Sequence, residues 1–254
     1  MTVNQPTDED PFSRTRMLLG PTALDILERS KVAVFGVGGV GGYATEVLAR
    51  SGIGELHLID NDTVNASNIN RQIYALHSTL GRLKVEVAME RIHDINPSCR
   101  VHTYPIFYLP ENADAFDLSR MDYVVDCIDT VTAKIELARR CHSLGVRLIS
   151  SMGAANKMDP TGFRVSDISK TKMDPLAKAI RQKLRKMGIP HLKVVYSEET
   201  PLRPLVATSE SNHTPTESQR RIPASNAFVP AAAGLVVGSE VVKDLIGYGR
   251  DNSC

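Results

Sequence analysis

A chain of 254 residues with 42% hydrophobic content is long enough to bury one good core, and α/β chains of this length are commonly one domain, here 1–254. The net charge of +1 excludes arguing for a polyanion partner from the whole molecule, so any such case rests on local charge. Cys99, Cys127, Cys141 and Cys254 form no C-x-x-C pair and no metal-ligand spacing, which points to a reducing, cytosolic setting.

Residues 1–10 are polar and expected to be disordered. No basic leader precedes an apolar core, so no signal peptide is expected. Residues 12–29 carry Arg14 and Arg16 ahead of an apolar-periodic run at Leu24, Ile26 and Leu27, which predicts a docking helix. An apolar run at 32–35 predicts a buried strand. It ends in Gly36-Val37-Gly38-Gly39-Val40-Gly41, and 43–50 has helical composition. In a strand–turn–helix unit the glycines let a phosphate approach the backbone, and the free N–H groups at the helix start attract the anion. A second strand at 56–59 delivers Asp60, a carboxylate placed to accept from ribose hydroxyls.

A dinucleotide can be held largely by backbone donors, whereas a triphosphate with a leaving pyrophosphate wants fixed cations and usually a metal. Asn68-Ile69-Asn70-Arg71-Gln72 follows the second strand, and Lys84 falls on an amphipathic helix predicted over 77–96. These residues favour ATP. A strand is expected at 101–103 and a short helix around 114–118. A further strand at 123–128 runs into Asp129, with a helix over 131–144 behind it, so Asp129 stands at a strand's carboxyl end, where open parallel sheets bind ligands. Asp126 lies inside that strand. Residues 146–151 predict another strand, followed by Gly153-Ala154-Ala155-Asn156, where a substrate can approach the backbone; 163–168 alternates and opens a more antiparallel half.

Between 170 and 193 stand Lys170, Lys172, Lys178, Arg181, Lys183, Arg185, Lys186 and Lys193 against Asp174 alone, +7 locally, so the remainder carries −6. Leu176, Ile180, Leu184 and Met187 recur at helical spacing, so a helix can bury that stripe and face its cations outward. A charge run is usually a solvated helix face; cations this dense are also costly through self-repulsion unless a phosphate backbone relieves it. Residues 197–225 are rich in Pro, Ser, Thr and Glu and predict a mobile loop. The best spanning candidate, 227–238, is too short for a bilayer and reads as the start of a core helix over 231–246.

Taken together, Gly36 to Gly41, Ile59-Asp60-Asn61-Asp62, Asn68-x-Asn70-Arg71-Gln72, Lys84 and Cys127-Ile128-Asp129 resemble the adenylating domain of the ubiquitin-activating-enzyme superfamily. Arg91-Ile92-x-x-Ile95-Asn96-Pro97, Ser166-Asp167-Ile168-Ser169-Lys170-Thr171 and Asp174-Pro175-Leu176-Ala177 resemble its tRNA threonylcarbamoyladenosine dehydratase branch. The resemblance implies a Rossmann-like α/β fold with a mostly parallel sheet, helices on both faces and an antiparallel C-terminal extension. It implies ATP held by Gly36, Gly38, Gly39, Gly41, Asp60, Asp62, Asn68, Arg71, Gln72, Lys84 and Asp129, with Arg71, Lys84, Asp129 and Arg16 catalytic and Asp129 binding Mg2+. It also implies a homodimer in which Arg16 reaches the partner's phosphates, and a tRNA substrate met by Lys170, Lys172, Lys178, Arg181, Lys183, Arg185 and Lys186. A monovalent cation and a sulfur-trafficking partner stay open.

Three alternatives share parts of this pattern. An enzyme adenylating the C-terminus of a ubiquitin-like sulfur carrier shares every ATP residue, though 197–225 has no cysteine for thiol chemistry. A nicotinamide-dependent dehydrogenase suits Asp60 and the glycines but leaves Arg71 and Lys84 without work. A non-catalytic RNA-binding scaffold needs none of the ATP residues.

Overall fold

Alternation along the first strand decides the layering. In the computed structural model, which describes residues 10–205 and 223–249, β1 (Lys31–Phe35) turns Val32 and Val34 into one apolar cluster and Ala33 and Phe35 into another. Both of its faces are covered, as a parallel strand requires.

Around it stand β2 (Glu55–Ile59), β3 (Arg100–Tyr104), β4 (Tyr123–Asp126), β5 (Leu148–Ser151), β6 (Phe163–Asp167) and β7 (Lys193–Ser197) in the order β3-β2-β1-β4-β5-β7-β6. Every neighbouring pair is parallel except β6–β7. This is the Rossmann-like sheet with an antiparallel C-terminal extension that the resemblance implied. The chain winds from β1 through β2 to β3 and then returns to β4 on the other side of β1. That reversal opens a crevice at the carboxyl ends of β1 and β4.

One face carries α2 (Pro21–Arg29), α3 (Gly41–Arg50), α4 (Lys84–Ile95) and α7 (Val229–Ile246), with Leu27, Leu48, Ile92 and Val241 packed on Val34, Leu58 and Val125. The other carries α5 (Val131–Leu144) and α6 (Pro175–Lys186). Leu137 of α5 meets Phe35 and Val124, and Ile180 and Leu184 of α6 meet Val194 and Tyr196. The branch-specific motifs turn out to brace this packing. Arg91 on α4 clamps Glu46 of α3 with two bonds, 2.7 and 2.9 Å, and Asn96 donates to Ile53 O at 3.2 Å. Asp174 caps α6 by accepting from Ala177 N–H at 2.9 Å, with Pro175 at the first helical position.

Several expected elements differ. The single helix over 12–29 is two, α1 (Ser13–Leu19) and α2, because Gly20 takes φ +83° and Pro21 starts afresh. The helix over 77–96 begins only at Lys84: Gly81 at φ +80° breaks it, and His77–Thr79 form one 3-10 turn. The short helix around 114–118 is replaced by 3-10 turns at Pro110–Ala115 and Leu118–Arg120. Strand β7 has no counterpart among the expected elements. Met187, expected in the buried stripe of α6, is 43% exposed. The membrane candidate 227–238 falls on the start of α7, and among the described residues no helix is long and apolar enough to cross a membrane. The expected disorder at 1–9 and most of the expected loop, 206–222, lie outside the described residues.

Candidate active site

The glycine turn closes on the end of β4. Gly36 has φ +85° and donates to Ile59 O at 2.8 Å; a Cβ there would lie 2.7 Å from Cys127 O. At Gly41, the first residue of α3, a Cβ would lie 1.8 Å from Gly36 O. Neither position admits a side chain without dismantling the turn. Asp60 locks the turn from the next strand: Oδ2 accepts from Val37 N–H at 2.7 Å and Oδ1 from Asp62 N–H at 2.9 Å. The carboxylate therefore stands beside the glycine backbone with acceptor lone pairs to spare.

The expected cations converge on the same place. The stem of Arg71 passes over Gly39, its Cγ 3.5 Å from where a Cβ would be, and Gln72 Nε2 is 3.7 Å from the same point at Gly38. Arg71 Nη1 donates to Ser67 O and Asn70 Oδ1, both at 2.9 Å, which aims the guanidinium without neutralising it. Lys84 is buried at the start of α4 and reaches Asp62 Oδ2 at 2.6 Å. Asn68 has a local duty as well: its Oδ1 accepts from Asn65 N–H at 3.1 Å and shapes the 3-10 turn (Ala66–Asn68) that presents Arg71.

Across the crevice, Asp129 is exposed just before α5, and Thr130 Oγ1 donates to it at 3.4 Å. Beneath it lies a buried ion pair. Asp126 Oδ2 is 3.1 Å from Lys134 Nζ and accepts from Ser150 Oγ at 2.5 Å, while Lys134 also donates to Ser151 O at 2.7 Å. Asp126 Oδ1 accepts from Ile128 N–H at 3.1 Å, so this pair shapes the loop that carries Asp129. Burial pushes the neighbouring Cys127 thiol up to about 12, which leaves it protonated and unsuited to nucleophilic work.

The far wall is knitted by another buried lysine. Lys157 Nζ donates to Gly153 O at 2.8 Å and Ser197 O at 3.2 Å and pairs with Asp174 at 3.4 Å, joining the ends of β5 and β7 to the start of α6. Asn70 Nδ2 donates to Ser225 O at 3.2 Å, so the Arg71 segment touches the same wall.

Comparisons with known proteins identify the family. The ThiF family profile matches residues 12–254. The tRNA threonylcarbamoyladenosine dehydratase of Bacillus subtilis is 47% identical over 242 residues, covering 92% of this chain and 94% of that protein. The Escherichia coli protein of the same name is 42% identical over 68% of this chain and 65% of its own length. The chain belongs to the ThiF family, in its tRNA threonylcarbamoyladenosine dehydratase branch. The E. coli TcdA structure in complex with ATP superposes on it with a TM-score of 0.84 at 33% identity, covering 97% of this chain and 98% of that one.

In this ThiF-family chain the expected tRNA cations lie on α6 and on the segment that leads into it. Lys170, Lys172, Lys178, Lys183, Arg185 and Lys186 are exposed. Arg181 is half-buried and donates to Ile168 O at 3.3 Å and to Thr171 O at 3.0 Å, holding the approach to the helix. Lys193, at the end of the run, pairs with Glu240 and Asp244, each at 2.8 Å. Arg16 faces Asp10 at 3.1 Å, and among the described residues no hydrogen bond links it to the crevice. Lys134 and Lys157 were absent from the expected site, and both are buried cations whose partners come from more than one element of the fold.

Proposed function

We propose that the protein dehydrates threonylcarbamoyladenosine in tRNA at the expense of ATP. The observation that carries this reading is that Asp60 and Arg71 stand against a glycine turn, with Lys84 joined to it through Asp62, in a chain so similar to a relative solved with ATP.

A carboxylate resists displacement because oxide is a poor leaving group. Here the threonylcarbamoyl carboxylate attacks the α-phosphorus of ATP, a P–O bond forms, and the bond to pyrophosphate breaks. Arg71 and Lys84 meet the charge growing on the departing pyrophosphate, while the glycine backbone holds phosphate and Asp60 accepts from ribose. The acyl-adenylate is then attacked by a neighbouring atom of the same modification, which loses its proton as AMP leaves. A ring closes with net loss of one water. An internal nucleophile needs no enzyme thiol, in keeping with a protonated Cys127.

Asp129 suits Mg2+: it is an exposed carboxylate with free lone pairs, a hard oxygen ligand of the kind this ion takes. When bound, the ion supplies charge neutralisation on the phosphates. Asp126 and Lys134 hold the loop that aims this carboxylate.

The tRNA reading is supported by where α6 lies. Its capped start is tied through Lys157 to Gly153 and Ser197 at the ends of β5 and β7, and its twelve residues run about 18 Å back toward the amino end of β7. Lys172 and Lys178 then stand nearer the chemistry, with Lys183, Arg185 and Lys186 further along a phosphate backbone. A homodimer is supported by α1, which buries none of its residues and leaves Met17 77% and Leu18 82% exposed; Arg16 on that helix would enter the partner's site.

Exchange of radiolabelled pyrophosphate into ATP tests the reading. Exchange is expected with tRNA bearing threonylcarbamoyladenosine; exchange with a ubiquitin-like carrier protein and none with tRNA would overturn it.

A further inference from the structure

The sheet edge farthest from α6 holds a cluster that adenylation does not use. Glu55 and His57 of β2 point away from Leu56 and Leu58, which enter the core, and His57 is in register with His102 of the edge strand β3. Around Glu55 Oε1, His57 Nε2 lies at 3.0 Å and His102 Nε2 at 3.7 Å, and one ligand atom from each of the three residues lies within 4.8 Å of the others. Bonds of ~2.0–2.2 Å in a tetrahedral zinc site set ligand atoms about 3.4 Å apart, so these side chains need only small torsional adjustments.

We propose that Glu55, His57 and His102 bind one divalent transition-metal ion of the zinc class, with the fourth coordination position open to solvent.

The surroundings support this assignment. His57 Nδ1 is 3.1 Å from Tyr104 Oη, the outward hydrogen bond that fixes ring orientation in histidine ligands and leaves Nε2 for the ion. A tyrosine hydroxyl can donate to Nδ1 before binding and accept from it afterward, so the tautomer change needs no new partner. Glu55 divides its oxygens: Oε2 takes Arg100 Nη2 at 2.7 Å and faces Lys31 Nζ at 3.9 Å, leaving Oε1 toward the imidazoles. Arg100 and Lys31 oppose a dication, yet their side chains are 65% and 41% exposed, where solvent and salt screen them. His102 is 47% exposed and gives the ion a way in. Glu55 opens β2 and Asp60 follows its end, so the cluster lies about 17 Å along the strand from the nucleotide crevice. The donor set of two imidazoles and one carboxylate matches zinc sites that keep an open position.

The test is titration of the chelator-stripped full chain with Zn2+ against a chromogenic competitor, repeated on His102→Ala and Glu55→Gln. One ion per chain is expected, weakened ten-fold or more in His102→Ala, whose exposed side chain can be removed without disturbing the fold; Co2+ should give a tetrahedral visible band that this variant loses. Absence of stoichiometric binding, or unchanged affinity in both variants, overturns the assignment.

Discussion

Lys84 Nζ lies 2.6 Å from Asp62 Oδ2, a buried ammonium facing a carboxylate that is 56% exposed. The asymmetry separates its two possible contributions. Removing the cation leaves Asp62 solvated, so Lys84→Met should cost no more than about 1 kcal/mol of stability. On the proposed mechanism, loss of this charge should lower turnover about 10²–10³-fold. Chemical denaturation and single-turnover adenylation, run on the same variant, check both.

Asp126 and Lys134 present the opposite case, since both side chains are 1% exposed. Lys134→Met strands a carboxylate in the core and should cost about 3–5 kcal/mol. Combining it with Asp126→Asn removes the stranded charge and keeps an acceptor for Ile128 N–H, so the double variant should unfold at higher urea than the single one. A single-variant cost below about 1 kcal/mol would show that the pair is not holding the Asp129 loop.

Gly36→Ala should abolish ATP binding in calorimetry. The new Cβ meets Cys127 O at 2.7 Å on a residue whose φ of +85° already disfavours a side chain. The strain is of the order of 1–3 kcal/mol and falls where phosphate would rest, so far-ultraviolet circular dichroism should change little while the binding heat disappears.

Acid stability should report on Glu55. Burial raises its pKa, but hydrogen bonds from Arg100 and His57 and the charges of Lys31 and Arg100 outweigh it, bringing the carboxyl from 4.5 to about 2. A depressed folded pKa stabilises the protein above the unfolded value. That contribution is lost as pH falls from about 4.5 to about 2. Arg100→Leu should therefore move the acid-unfolding midpoint to higher pH, as followed by circular dichroism.

Much of the crevice was legible because its residues are local. The apolar run of β1, the glycines and Asp60 follow one another within a single βαβ unit, and chain order alone puts them together. Lys84 was expected inside a helix over 77–96 and instead opens one, because Gly81 at φ +80° delays the helical start by about two turns. Strand β7 went unread because Val194, Val195 and Tyr196 follow directly on a basic run whose helical period dominates the window. Lys134 and Lys157 were hidden for a tertiary reason: a lone lysine is by default a surface residue, and the segments that supply most of their partners, Ser150 and Ser151 for Lys134 and Asp174 and Ser197 for Lys157, come together only on folding. One signal existed. Lys134 is three residues from Leu137 and four from Ala138, both buried, which places it on the inward face of α5.

The central claim is that this crevice converts a carboxylate into a displaceable adenylate on the RNA itself. Mass spectrometry of nucleosides from threonylcarbamoyl-modified tRNA, incubated with the protein and ATP, tests it most directly. The account predicts a nucleoside lighter by one water, appearing with AMP and pyrophosphate in equal yield. An unchanged nucleoside mass while ATP is consumed would contradict it.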